Sequence, residues 1–494
     1  MVKSRPGAAL LAAAMAVLAL TASVAAAADY REPVGHAELA RELGRRLPTG
    51  RGLRVTQVET GGPEQEGQSG WTPDHRLEQF RGVRFLLPGV PSGHATVVGG
   101  LFYGARSLAP DVAEVECFPA GLWAFAPDGF LRTGTELPPL STTSRVANHS
   151  WVRTDDRGGN AEALLRLDWV AATDEFIQVA GANNTSKVQD LVQCACNAIV
   201  VGRSSGRHAS GTNAVGDGVY TAGRAKPEIV APGRSTSAAC PMVASAAAML
   251  VGFAHEEGLR LSGGALRLPR TGERLYHAET SEVIKAVLMA GADRRTDANR
   301  RALGNLSGYR RGKETRTDNG LDTRFGAGQL NVRNSYYILA AGEQDSIEDG
   351  GDVAHRALGF DYDPVFGGAE GSNSVARYRL PAPDRPAVLK ACLAWNADIS
   401  GGGRPWRGRP RVYDLDLKLY DLEWSEALPV AESLSQKDNT ENIHHRLEPG
   451  HRCELRVVVA PGQQEFQWDY ALAWQLGEPR PPERDAQDTQ DGKD

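Results

Sequence analysis

From Leu53 to about Glu343, short apolar runs alternate with longer helical stretches. Leu53–Val58, Ala113–Cys117, Arg145–Ser150, Phe176–Ala180 and Asn197–Gly202 read as strands. His94–Tyr103, Ala161–Ala172, Ala238 to about Glu257 and Thr280–Gly291 read as helices, and the second of these is amphipathic. Repeated strand–helix alternation predicts an α/β domain, a mostly parallel sheet with helices on both faces. Near Asp345 the texture changes. Loop-like Asp349–Asp352 and Gly367–Ser372 lead into short strands only, at Ser374–Leu380, Val388–Trp395, Asp414–Tyr420, Cys453–Val459 and Trp468–Trp474. Pro, Gly and Asp clusters separate them, so this half reads as an all-β sandwich. The charged stretch from Pro479 to Asp494 has the composition of a disordered tail.

Composition narrows the class without choosing a chemistry. The 494 residues allow two or three domains, and 41% hydrophobic with 23% charged residues is ordinary for a soluble globular protein. A net charge of −6 offers no basic footprint for nucleic acid. Lys3 and Arg5, the apolar run Ala8–Ala22 and the small residues Ala25–Ala28 form the three regions of a secretory signal peptide. Export makes disulfides possible among Cys117, Cys194, Cys196, Cys240, Cys392 and Cys453, with Cys392 and Cys453 able to pair within the second half. Cys194-Ala-Cys196 is too tight for the usual zinc spacing. No segment beyond the leader has enough uninterrupted apolar residues to cross a bilayer.

Candidate chemistry concentrates around Lys226–Leu250, where a Pro/Gly loop runs directly into an alanine-rich helix with Ser237 at the junction. The unpaired N–H groups of a helix N-terminus favour developing negative charge, which suits a nucleophile; a serine there also serves as an ordinary N-cap. The segment Lys226-Pro-Glu-Ile-Val-Ala-Pro-Gly233, followed by Ser235-Thr-Ser237-Ala-Ala-Cys-Pro241, resembles the nucleophile motif of subtilisin-like serine proteases and differs at the leading glycine. Gly93–Gly100 resembles the histidine motif of that family, matching at His94, Thr96, Val98 and Gly100 and departing at Ala95, Val97 and Gly99. Val55–Gly61 resembles the strand that ends in the family's Asp-Thr-Gly, with Glu59 in place of the aspartate. Val179–Asn184 resembles the oxyanion segment. Gly104–Pro110, Val146–Trp151 and Phe325–Asn331 are similar to further family segments, and Val152 replaces a usual glycine beside the substrate strand.

The resemblance covers about Arg51 to Glu343. It implies a three-layer α/β/α domain with Ser237 as nucleophile, His94 as general base, Glu59 as the carboxylate orienting the base, and Asn183 (with Asn184 as alternative) as oxyanion donor. Asp74, in a turn-like context, is a substitute acid. Pro241 is expected in the first helical turn, where no N–H is needed. Leu393–Asn396, Asp414–Tyr420, Ser433–Ile443, Leu447–Gly450 and Asp469–Trp474 are similar to the pre-peptidase C-terminal sandwich of secreted bacterial proteases, a jelly-roll-like domain. Asp414 and Asp416 share one strand face opposite Leu415 and Leu417, and with Asp398 or Asp438 offer oxygens of the kind calcium takes; a solvated strand face is the simpler reading.

These segments divide the chain into a leader (1–28), a short N-terminal segment (29–50), a peptidase domain (51–345), a sandwich (346–478) and a tail (479–494). The expected protein is an exported bacterial serine endopeptidase acting on proteins or peptides, with no cofactor required for its chemistry. An inactive protease-like binding protein and an esterase on the same machinery share these motifs.

Overall fold

The computed structural model describes residues 29–478, apart from 62–63, 66–67, 88, 153–159, 187–191, 213–222, 295–305, 307, 400–405 and 407. The leader-like segment 1–28 and the charged stretch 479–494 lie outside the described residues. Seven strands form the first sheet: β1 (Arg54–Glu59), β2 (Arg84–Phe85), β3 (Glu114–Pro119), β4 (Val146–His149), β5 (Ile177–Gly181), β6 (Ile199–Arg203) and β7 (Ile229–Ala231). Their order is β7-β6-β5-β4-β1-β3-β2, and every pairing is parallel.

Alternation along these strands feeds two different layers. Val55, Val146, Ile177, Val179, Ile199 and Val201 face one core, which holds helices α2 (Gly93–Phe102), α5 (Thr236–Glu257), α6 (Ser281–Gly291) and α7 (Val332–Ala340). Val58, Ala147 and Ala180 face the other, packed under α3 (Ala120–Phe125) and α4 (Asn160–Asp174). Residues Thr236–Arg260, the only described helical stretch long and apolar enough to cross a membrane, are instead buried inside this core.

The N-terminal segment is part of this packing. Helix α1 (His36–Leu43) buries Leu39 and Leu43, and its Glu42 accepts from Arg333 Nε (2.9 Å), Arg333 Nη2 (2.8 Å) and Tyr337 Oη (3.0 Å) on α7. Val332 N donates to Val34 O at 2.7 Å, so the two ends of the α/β domain are stitched together.

The second half is a jelly roll of two four-stranded antiparallel sheets. Its strands are β8 (Leu358–Phe366), β9 (Val375–Leu380), β10 (Ala387–Ala394), β11 (Leu415–Asp421), β12 (Ala431–Ser433), β13 (Thr440–Leu447), β14 (Cys453–Val459) and β15 (Trp468–Leu476). The sheet orders are β8-β15-β10-β13 and β9-β14-β11-β12. Leu389, Leu393, Tyr470, Leu472 and Trp474 face inward between the sheets. On the opposite face of the first sheet, Cys392, Ala394, Ala471 and Ala473 join the core of the α/β domain. These small side chains let the wholly buried α6 lie against the sheet, with Cys392 Sγ 3.8 Å from Met289 Sδ. The core therefore runs across the boundary expected near residue 345.

One expectation is corrected here. All six cysteines are free and buried. Cys392 faces α6 from one sheet while Cys453 faces the sandwich interior from the other, so the expected pairing within the sandwich does not form. Of the aspartates considered for calcium, Asp416 lies 3.3 Å from Lys418 Nζ and Asp438 accepts from Ala225 N and Ser435 Oγ (both 2.7 Å), while Asp398 bridges Arg411 through backbone bonds of 2.8 Å and Asp414 Oδ1 is buried without a hydrogen bond among the described residues. The close carboxylate groups among the described residues lie elsewhere, at Glu175, Glu282 and Asp469 and at Glu343, Asp345 and Asp361.

Candidate active site

Glu59 ends β1, the middle strand of its neighbourhood, and its side chain is almost wholly buried (1% exposed). His94 is the second residue of α2, a helix whose N-cap Ser92 accepts from Ala95 N at 3.0 Å. That cap fixes the ring over the end of β1: His94 Nδ1 lies 2.7 Å from Glu59 Oε2, while about half of the imidazole remains exposed. An Nδ1–H donated to a carboxylate leaves Nε2 as the free basic nitrogen. Burial pushes the Glu59 carboxyl up, opposed by hydrogen bonds from His94 and Gln57. The hydrogen bond to Glu59 pushes the His94 imidazole up against the opposing effect of desolvation.

Ser237 is the second residue of α5, and Ser235 is the N-cap, its Oγ accepting from Ala238 N at 3.2 Å. The helix thus starts earlier than the sequence suggests, which moves Pro241 beyond the first turn. Proline has no N–H to give to the carbonyl four residues back. That carbonyl belongs to Ser237, and it accepts from Ser150 Oγ at 3.3 Å instead. Ser237 Oγ in turn donates to Ser150 O at 3.4 Å, so Ser150, the residue just after β4, holds the half-buried serine through two bonds. His94 Nε2 and Ser237 Oγ share no hydrogen bond in this structure; such bonds are often long or poorly aligned in free enzymes and tighten around substrate.

The two asparagines separate clearly. Asn183 is buried (5% exposed), and its Oδ1 accepts from Thr185 N at 3.2 Å. Asn184 is exposed, and its Oδ1 accepts from Thr236 N at 2.9 Å, at the first turn of α5 beside Ser237. Asp74 is bound to Arg76 (2.8 and 2.9 Å) and makes no contact with His94.

Behind Glu59 lies a group of residues that the motif comparison passed over. Gln57 Nε2 donates to Glu59 Oε1 and to Ala95 O, both at 2.9 Å, and Tyr103 Oη donates to Gln57 Oε1. Gln57 and Tyr103 are completely buried. A glutamine two residues before the carboxylate, on the same face of a buried strand, is the signal that could have revealed it.

The Subtilase family profile matches residues 137–328. That stretch of the α/β domain is a match to the subtilase family of serine proteases. The matched range includes Ser237, Asn183 and Asn184 and begins beyond Glu59 and His94, whose pairing is a finding of the structure alone. Among solved structures, the subtilase domain is similar to the prenylagaramide maturation protease PagA (15% identity, 57% of this chain and 92% of that one, TM-score 0.36). It is also similar to the patellamide maturation protease PatA (18% identity, 59% and 98%, TM-score 0.35). The pre-peptidase C-terminal domain of a collagenase from Bacillus anthracis matches 25% of this chain with 96% of its own length, at 13% identity and a TM-score of 0.18. No curated protein sequence matches the chain.

Proposed function

We propose that this subtilase is an exported bacterial endopeptidase that cleaves protein or peptide substrates through Ser237, His94 and Glu59. The observation that carries the reading is the 2.7 Å contact between the Glu59 carboxylate and His94 Nδ1, with Ser237 on the first turn of a neighbouring helix. In this scheme Ser237 Oγ attacks the scissile carbonyl carbon as its proton passes to His94 Nε2. Glu59 holds the tautomer and stabilises the imidazolium that forms. The imidazolium then protonates the leaving amine, and water hydrolyses the acyl-serine with His94 as base again. Oxyanion stabilisation falls to the Ser237 backbone N–H and the Asn184 side-chain amide, since Asn184 is the asparagine bonded to the start of α5. The expected role of Asn183 becomes one of holding the loop. Export rests on the leader-like residues 1–28.

The test is labelling of the full chain, freed of its leader, with a fluorophosphonate, alongside Ser237→Ala. Labelling and peptide hydrolysis that both vanish in the variant support the reading. Wild-type protein that is folded yet neither labels nor hydrolyses overturns it in favour of a binding protein, and hydrolysis of esters without peptides favours the esterase.

A further inference from the structure

Glutamate in place of aspartate adds one methylene, and a longer carboxylate has one more torsion to fix. In this chain the carboxylate is gripped at both oxygens: Oε2 by His94 at 2.7 Å and Oε1 by Gln57 Nε2 at 2.9 Å. Among the described residues no other group hydrogen-bonds the Glu59 carboxylate. Gln57 cannot be reversed. Both partners of its Nε2, a carboxylate and the Ala95 carbonyl, accept only, and its Oε1 receives the Tyr103 hydroxyl. The amide is thereby tied to the strand that carries Glu59 and to the helix that carries His94.

The helix makes room for this chain of bonds. A Cβ on Gly99 would stand 2.7 Å from Tyr103 Oη, too close without movement of the ring, and a tight 3.1 Å from Gln57 Oε1. Gly99 is a departure from the histidine motif, Ala95 is another and supplies the second acceptor, and Glu59 is the departure from the acid motif. Three separate irregularities meet in one buried cluster.

We infer that Gln57 is a positioning residue for catalysis, held by Tyr103 and admitted by Gly99, and that it is what makes glutamate a working replacement for aspartate in this site. It touches no substrate. It acts by fixing the Glu59 carboxylate in the plane that His94 Nδ1–H requires. This inference rests on the proposed proteolytic function for its kinetic arm and on the Glu59–His94 pair alone for its spectroscopic arm.

The experiment uses the full chain without its leader. Gln57→Leu takes away one partner of the Tyr103 hydroxyl, which also lies beside the Cys117 thiol, so the double variant Gln57→Leu/Tyr103→Phe, which removes both ends of the Gln57–Tyr103 bond, guards against loss of the fold. The expected result in both is a kcat lower by roughly 10- to 100-fold with KM little changed, the scale at which outer-shell partners act. Glu59→Asp, too short to keep both grips, should lose activity on its own, and adding Gln57→Leu to it should cost little more. The low-field proton resonance of His94 Nδ1–H, identified by its absence in Glu59→Gln, should shift in every Gln57 variant. A folded double variant with wild-type kcat and an unmoved resonance overturns the inference, as do fully multiplicative losses for Gln57→Leu and Glu59→Asp. If the wild type neither labels nor hydrolyses but the resonance moves with Gln57, the positioning role stands and the proteolytic reading falls.

Discussion

Ser245 sits mid-way along α5 with no exposed surface, and its hydroxyl leaves the helix to serve a loop. Its Oγ accepts from Leu108 N at 3.0 Å and from Ala109 N at 3.1 Å, in the segment that follows the helix bearing His94. Ser245→Ala removes that acceptor and leaves the packing volume almost unchanged. The two N–H groups are not equally exposed to the loss, because Ala109 N also has Ser107 Oγ at 3.2 Å. Leu108 N becomes a buried orphan, at about 1–3 kcal/mol, and Ala109 N loses one of two shared bonds, at about 0.5–1 kcal/mol. The expected total is roughly 2–4 kcal/mol. In thermal unfolding this lowers Tm by about 3–6 °C for a domain of roughly 300 residues. Ser107→Ala combined with Ser245→Ala should cost more than the sum of the two, since only together do they orphan Ala109 N. Urea unfolding followed by tryptophan fluorescence measures both. A Ser245→Ala loss below about 0.5 kcal/mol, or strictly additive losses, would refute the accounting of buried N–H groups.

Two further predictions concern protons. The carboxylate beside His94 raises the pH at which the imidazole becomes a free base, so kcat/KM should rise with pH through a midpoint above the ordinary histidine value of about 6.5. Glu59→Gln removes the cause and should move the residual activity's acidic limb downward; an unmoved limb in a pH–rate profile would show that another group sets it. At the junction with the sandwich, Glu175, Glu282 and Asp469 come together without a cationic partner among the described residues, and burial raises all three carboxyls, Glu175 to about 7. The folded state therefore holds protons that the unfolded chain releases above its ordinary carboxyl range near pH 4. Their contribution to stability is complete below that range and is lost as pH rises through about 7. Glu282→Gln should raise Tm at pH 8 and flatten its dependence between pH 5 and pH 8. An unchanged slope in calorimetry would exclude the cluster as its source.

Periodicity made the large pieces of this fold legible. Helices α2, α4 and α5 and the strands β1 to β6, apart from the two-residue β2, follow from apolar runs whose interior positions are unambiguous. What escaped has specific causes. Strand β8 contains Asp361, Asp363 and Pro364, residues that read as a turn, yet Asp361 is buried and bonded to Tyr378 Oη at 2.5 Å. Strand β13 reads as polar, because Glu441 and Asn442 spend their side chains on buried partners, Asn442 Nδ2 reaching Asn319 O across to the α/β domain at 3.0 Å. The nucleophile helix begins at Thr236, before the first alanine of the run, and that small shift reassigns Pro241. The motifs drew attention to Glu59, His94 and Ser237, and the structure brings the first two into contact. The Gln57–Tyr103 bonds lay beyond reach, since they join residues 46 positions apart and no local pattern marks such a pair.

The order of strands in the jelly roll carries a consequence for how the chain is made. Strand β15, the last of these strands to leave the ribosome, does not sit at an edge: it lies between β8 and β10 and presents Ala471 and Ala473 toward α6. Until residue 476 has emerged, β8 and β10 have no common neighbour and α6 has no floor. The α/β domain, although its own strands and helices are complete more than a hundred residues earlier, must wait with an apolar helix uncovered. A stop codon in place of Trp468 would thus remove the centre of a sheet and expose the side of α6 in the same event.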